Sequence, residues 1–369
     1  MTYSIRHVTN FRYEPAIRES LMEVRMQPRS DARQRCHTFL LDVTPRTNAM
    51  AYRDFFGNTI HHFDIPGRHA FIEVKAEALV DVTAHPVPES SGAGSWQELD
   101  ARISTGELMD MLLPSTFALP TEELDKLAQE IHWERRGNPF DCVLELNEAL
   151  FRSIEYAPNT TEVDSPIDDA LRARRGVCQD FAHIMIALLR KQQIPGRYVS
   201  GYLFHAKETH DRSSAGATHA WVEAFLPSLG WVPFDPTNNL LCEERHIRVA
   251  VGRDYADVPP TRGVYKGEAE SELSVAVTVS KVDSPAPQEL PPSTVIRSRP
   301  VKYDSTDSGQ DQQQQSPSPL LHVQTRDHFA AVAYRVRCRL PQADISFRIG
   351  RKLCPWRVSE YSTRGGTSA

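Results

Sequence analysis

The chain has no run of about twenty apolar residues, so nothing in it is built to span a bilayer as a helix. Its first residues, Met1-Thr2-Tyr3-Ser4-Ile5-Arg6-His7, lack the charged-then-apolar order of a secretory signal. Cysteine is scarce: Cys36, Cys142, Cys178, Cys242, Cys338 and Cys354 are scattered and show no paired spacing. That argues against a disulfide framework or a zinc knuckle and suits a reducing compartment, so a cytoplasmic location is expected. A basic excess is missing too. With 42 Lys and Arg against 48 Asp and Glu, and a sequence pI near 6.2, there is no electrostatic footprint for nucleic acid or an anionic membrane. At 369 residues the chain has room for about two domains, each with a sizeable core.

The stretch that organises the rest is Arg175-Gly176-Val177-Cys178-Gln179-Asp180-Phe181-Ala182-His183. Gly176 frees the backbone for a tight approach, and a helical run begins at Cys178. Phe181, Ala182, Met185, Leu188 and Leu189 share one face, and Ile194-Pro195-Gly196 ends the pattern. Cys178 therefore falls at a helix N-terminus, where unpaired amides and the helix dipole favour negative charge and promote the thiolate. A buried, inert cysteine is the alternative for that residue taken alone.

Downstream, Thr218-His219-Ala220-Trp221-Val222-Glu223-Ala224-Phe225 reads as a strand, and Gly230-Trp231-Val232-Pro233-Phe234-Asp235-Pro236-Thr237 as another. A short connection separates them, so antiparallel pairing would bring His219 towards Asp235. A cysteine nucleophile needs a base, and the imidazole needs an acceptor that fixes its tautomer. The chain supplies all three. Metal readings are weaker. His61 and His62 are adjacent on a strand and point to opposite faces, and Cys178 and His183 lie on different sides of a helix. His205 and His210 sit in a polar loop, 206–217, that reads as a mobile rim. Neither a metal nor a cofactor is expected.

The blocks Gly176-Val177-Cys178-Gln179-Asp180-Phe181-Ala182, His219-Ala220-Trp221-Val222-Glu223 and Phe234-Asp235-Pro236-Thr237 resemble the transglutaminase-like superfamily. Ile194-Pro195-Gly196-Arg197-Tyr198-Val199-Ser200-Gly201-Tyr202 is similar to that family's link from helix to sheet. Within the superfamily the resemblance is to the bacterial transglutaminase-like proteins described as cysteine proteases. Tyr3 to Tyr13 followed by Phe55-Phe56-Gly57-Asn58 looks like their N-terminal β-domain. The likeness implies a papain-like core with catalytic Cys178, His219 and Asp235. It implies a peptide or protein substrate, and an amide cleaved or transferred through a thioester, with hydrolysis favoured. A peptide-binding module without turnover is the other reading. The Cys178 amide would be one oxyanion donor, with Tyr156, or more weakly Gln179, as further candidates for holding the oxyanion or positioning substrate. Asp180 and Glu223 would brace the site.

The expected fold class is α+β. Residues 1–84 form an N-terminal antiparallel β-sandwich, read from period-two alternation at Tyr3, Ile5, His7, Thr9, Phe11 and Tyr13 and from strand-like runs at 37–43 and 71–82. Residues 85–110 are read as a linker, and 111–282 as the catalytic core with a trailing strand. Within the core, helices are expected over 122–132 and 139–154, with a short turn at 168–171 and an ordered loop over 249–263. A disordered Pro/Ser/Gln-rich linker is expected at 283–320 and a basic tail without assigned structure at 321–369.

Overall fold

The computed structural model describes residues 1–84, 94–206 and 209–282, together with two short paired strands, Arg348–Ile349 and Lys352–Leu353. Residues 85–93 of the expected linker, the 283–320 segment and nearly all of the basic tail lie outside the described residues.

The N-terminal part is a sandwich of two four-stranded antiparallel sheets. It contains β1 (Thr2–Ile17), β2 (Glu19–Val24), β3 (Gln34–Thr44), β4 (Met50–Arg53), β5 (Thr59–Ile65) and β6 (His69–Val82). β6 shows why these segments are strands. Ile72, Val74, Ala76, Ala78, Val80 and Val82 alternate with exposed or half-buried residues, and the alternate set is the core face. The far half of that face packs with Tyr13, Ile17, Met22, Val24 and Phe63 inside the sandwich. The near half, Ala78, Val80 and Val82 with Tyr3 and Ile5, joins the core of the helical part.

Among the described residues five α-helices follow: α1 (Trp96–Ile103), α2 (Glu122–Glu130), α3 (Pro139–Ser153), α4 (Ile167–Ala173) and α5 (Cys178–Lys191). α1 occupies the stretch expected as linker. Ser95 accepts from the Glu98 amide while Glu98 accepts from the Ser95 amide, a reciprocal cap that starts the helix inside a Pro/Gly/Ser-rich region. α4 replaces the expected short turn and ends on Arg174 in the left-handed conformation. α5 is buried from Gln179 through Arg190, on every side rather than along one stripe. Its one buried cation, Arg190, is held by the carbonyls of Met111, Gly196 and Arg253 and by Ser115 Oγ.

Behind α5 lies a five-stranded antiparallel sheet. It contains β9 (Gly196–Leu203), β10 (His219–Leu226), β11 (Gly230–Asp235), β12 (Leu240–Leu241) and β13 (His246–Gly252), in the order β12-β11-β10-β9-β13. The short strands β7 (Glu155–Tyr156) and β8 (Arg175–Gly176) pair in parallel just before α5. β13 runs through the front of the region expected as a cleft-walling loop.

The chain then returns to its start. β14 (Thr261–Lys266) pairs with β2, and β15 (Glu270–Val282) runs along β1 from Thr2↔Val282 to Glu14↔Glu270. The strand expected to trail the catalytic core thus completes the N-terminal sandwich. Asn58 ties the two regions again. It is fully buried at a turn after Gly57, donates to the Val251 carbonyl and accepts from the Val251 amide. Among the described residues no helix is long and apolar enough to cross a membrane.

Candidate active site

Alternation along β10 sends Ala220, Val222 and Ala224 into the core shared with α5 and sends His219, Trp221 and Glu223 to the other face. On β11, Phe234 stands opposite Val222, so its neighbour Asp235 emerges on the face of His219. His219 is the first residue of β10, at the end of the sheet, where the N-terminus of α5 can meet it. Gly201 on β9 pairs with His219, and a side chain there is excluded. A Cβ would lie 2.2 Å from the Ile247 carbonyl oxygen and 2.5 Å from the Trp221 ring.

The start of α5 is built with equal closeness. The Asp180 carboxylate accepts from the Val177 amide at 2.8 Å and from Thr161 Oγ at 2.6 Å. A Cβ on Gly176 would meet that carboxylate at 2.7 Å, so only glycine lets the turn before Cys178 close over its own cap. Burial raises the Asp180 pKa, against the effect of those hydrogen bonds. Cys178 is half-buried, while Cys142 and Cys242 are buried.

His219 Nε2 lies 2.7 Å from Asp235 Oδ2. Asp235 is fully buried and has five donors around it. Oδ1 accepts from the amides of Thr237 and Asn238, and Oδ2 from His219, from Asn238 Nδ2 at 2.7 Å and from His246 Nε2 at 3.2 Å. Burial alone would raise the Asp235 carboxyl, but the His219 charge and the hydrogen bonds from both histidines hold it well below the usual carboxylate range. Burial likewise opposes charge on His219. The Asp235 carboxylate overcomes this and lifts the imidazole well above its ordinary value, and the nearby Cys178 sulfur adds to the lift.

Of the residues singled out in the sequence, Cys178, His219 and Asp235 therefore come together. Tyr156 and Gln179 have other partners. The Tyr156 hydroxyl donates to Ser214 Oγ at 3.2 Å and accepts from the Ser214 amide at 3.1 Å, and Gln179 Nε2 donates to the Val163 carbonyl. Glu223 braces the sheet: it is buried between Arg197 and Arg248, whose charges hold its pKa down against burial. The rim, apart from Lys207 and Glu208 outside the described residues, is pinned rather than loose. Asn238 Oδ1 accepts from the Arg212 and Ser213 amides, Arg245 pairs with Asp211, and the Val277 amide donates to the Gly216 carbonyl.

His246 was not singled out. It falls between Asp235 and the loop expected from residue 249, in a stretch assigned to no element, and its partner Asp235 lies on another strand. His219, Asp235 and His246 offer three metal-binding atoms within 4.8 Å of one another. Both imidazole nitrogens, however, point at one carboxylate oxygen at hydrogen-bond distance, which is the geometry of a doubly held carboxylate.

This α+β fold, with a cysteine at a helix start beside a His–Asp pair, defines a class, and the comparisons with known proteins agree. Residues 3–81 match the bacterial transglutaminase-like N-terminal region, and residues 125–236 match the transglutaminase-like superfamily. An uncharacterized protein of Mycobacterium leprae is 32% identical over 277 residues, covering 75% of this chain and 97% of its own length. An uncharacterized protein of Mycobacterium tuberculosis is 30% identical over 289 residues, covering 75% and 92%. The chain belongs to the bacterial transglutaminase-like family. A solved Cytophaga hutchinsonii structure named "a Putative Cysteine Protease" shares the fold with a TM-score of 0.60 at 22% identity, over 77% of this chain and 92% of that one. A protein-glutamine gamma-glutamyltransferase of Pseudomonas aeruginosa is 32% identical over 123 residues, 30% of this chain and 18% of that protein.

Proposed function

We propose that the protein is a cysteine enzyme acting on amide bonds of peptides or of glutamine side chains, with Cys178 as nucleophile, His219 as acid and base and Asp235 as the orienting carboxylate. The observation that carries this reading is the buried His219–Asp235 contact of 2.7 Å at the end of the sheet, with the Cys178 sulfur near enough to help raise the imidazole pKa. The two named relatives, one called "a Putative Cysteine Protease" and one a glutamyltransferase, support the reaction class without choosing between water and an amine as acceptor.

An ionised Asp235 has no proton to give, so it is His219 that carries hydrogen on Nε2. The neutral imidazole then bears its lone pair on Nδ1, the nitrogen left to take the proton of Cys178. The thiolate attacks the amide carbonyl carbon, and negative charge develops on the carbonyl oxygen. The Cys178 amide, in the first helical turn without an intrahelical acceptor, is placed to stabilise that oxygen. As the C–N bond breaks, the His219 imidazolium protonates the departing amine and a thioester forms. A water molecule then gives its proton to His219 Nδ1, adds to the thioester and releases the acid with the thiol restored. An amine in place of water would transfer the acyl group. Hydrolysis is favoured, because a transferase must also exclude water from the thioester.

The test is turnover of a protein substrate and a glutamine amide by purified wild type, Cys178→Ala and His219→Ala. Cys178→Ala should be folded and inactive, and His219→Ala should lose about 100- to 10,000-fold in kcat/KM, the usual worth of a general acid–base group. Activity that survives Cys178→Ala would remove Cys178 from the chemistry. Ligand binding without turnover in the wild type would make the fold a binding module.

A further inference from the structure

The Asp235 carboxylate serves two histidines, and only one of them faces the cysteine. We infer that His246 is a positioning residue for the reaction proposed above, holding Asp235 in place for His219 as a neutral Nε2–H donor. The inference rests on that reading of Cys178 and His219. An ionised carboxylate only accepts, so both imidazoles within reach of Oδ2 must present an N–H there: His219 at 2.7 Å and His246 at 3.2 Å. One carboxylate cannot sustain two imidazolium ions in a buried site. Burial and the charge on His219 both disfavour a charged His246, although Asp235 alone would favour it. His246 thus grips the carboxylate without drawing positive charge away from His219, where the Cys178 thiolate needs it.

The far side of His246 fits the same tautomer. Its Nδ1 is buried without a hydrogen-bond partner among the described residues, and so is Trp221 Nε1. The two rings meet edge to face at 5.3 Å between centroids, and both residues line a cavity of about 40 Å³. That volume admits a water, which needs two or more polar partners. The Trp221 N–H would donate to it, and it would donate to the Nδ1 lone pair that a neutral Nε2–H tautomer leaves free. The charged groups facing His246 are Asp235 on β11, His219 on β10 and Arg245 beside it in the chain. Across the cavity lie Glu223 from β10, Arg248 from β13, Glu243 and Cys242 from the turn before β13, and Arg33 from the N-terminal region.

Two measurements on the full chain test this. Imidazole NMR of ¹⁵N-histidine wild type should show His246 neutral and protonated on Nε2 from about pH 5 to about pH 8, with His219 doubly protonated. A doubly protonated His246, or one carrying its proton on Nδ1, would overturn the proposal whether or not any variant folds. Next, the pH profile of Cys178 alkylation is compared in wild type, His246→Leu and His246→Gln. Loss of the donor in His246→Leu should pull the upper limb, where the imidazolium deprotonates, to lower pH and cut kcat/KM on the order of tenfold, while the amide donor of His246→Gln restores most of both. A His246→Leu profile that overlays an acid-shifted wild type would sink the positioning role alone. An ordinary thiol titration in the wild type would sink the nucleophile reading, and the role of His246 with it.

Discussion

Asp235 is the residue on which several parts of the molecule converge. It receives two histidines, the Asn238 side chain and two backbone amides, and through Asn238 it also holds the rim at Arg212 and Ser213. Tyr156 is tied to the same rim, since its hydroxyl both donates to and accepts from Ser214. This makes Tyr156→Phe informative. Loss of a true oxyanion donor costs about 100- to 1,000-fold in kcat. With the hydroxyl committed to Ser214, Tyr156→Phe should change kcat less than tenfold and act mainly on KM, measured by steady-state kinetics. A drop in kcat of the larger size would return Tyr156 to the oxyanion. Glu223 is similarly committed, because its buried carboxylate pairs with both Arg197 and Arg248.

Among the elements, β15 shows how a terminal segment can be essential to the opposite end of the chain. It is the edge partner of β1 along thirteen residues, from Glu270 to Val282, and its Val277 is buried. β14 covers β2, where Tyr265 donates to the Ala269 carbonyl and packs on Tyr13. A chain ended after residue 283 should keep its melting temperature and activity, whereas one ended after residue 260 should aggregate or melt far lower by calorimetry. Equal stability of the two would show that the sandwich does without these strands. The sequence made β15 readable as a strand but not its partner, since pairing with β1 spans nearly the whole described chain. The helix at Cys178, the β10–β11 hairpin and β6 were legible because each is a local pattern with its own stop signal. α1 was hidden in linker-like composition, although the Ser95-x-x-Glu98 cap was there to be found. β13 was hidden because its polar residues look exposed. His246 and Arg248 in fact meet Asp235 and Glu223, which are 11 and 25 residues away in sequence.

Over the whole molecule, buried neutral histidines set a pH dependence of stability. His183 on α5 accepts the Tyr255 amide on Nε2 and stacks on Phe117, and burial lowers its pKa to about 3. Burial lowers that of His7, bonded to Tyr202 and Thr9, to about 4. Both folded values lie below the unfolded value near 6.5, so the unfolded chain takes up more protons between them. Their stabilisation is full above pH 6.5 and falls with pH, by roughly 3 kcal/mol each at pH 4. His219 has the opposite sign: its raised pKa favours the folded state below 6.5, and that contribution is lost as pH climbs through the folded value. Urea unfolding at pH 7 and pH 4 should show the acid loss. His183→Phe, starting from a lower plateau, should lose about 3 kcal/mol less between the two pH values. Parallel losses in wild type and variant would show that His183 is not a source of it.

The proposed chemistry requires Cys178 to be a thiolate paired with the His219 imidazolium. It is tested most directly by the rate of iodoacetamide labelling of Cys178 from about pH 4 to about pH 9, read by mass spectrometry, since only the thiolate reacts. Cys36 is the internal reference: it is also half-buried, and burial pushes its thiol pKa up. Cys178 should label rapidly at low pH, ahead of Cys36, and slow sharply there in His219→Ala. Labelling of Cys178 that rises only near the ordinary thiol pKa of about 8.5, unchanged by His219→Ala, would contradict it.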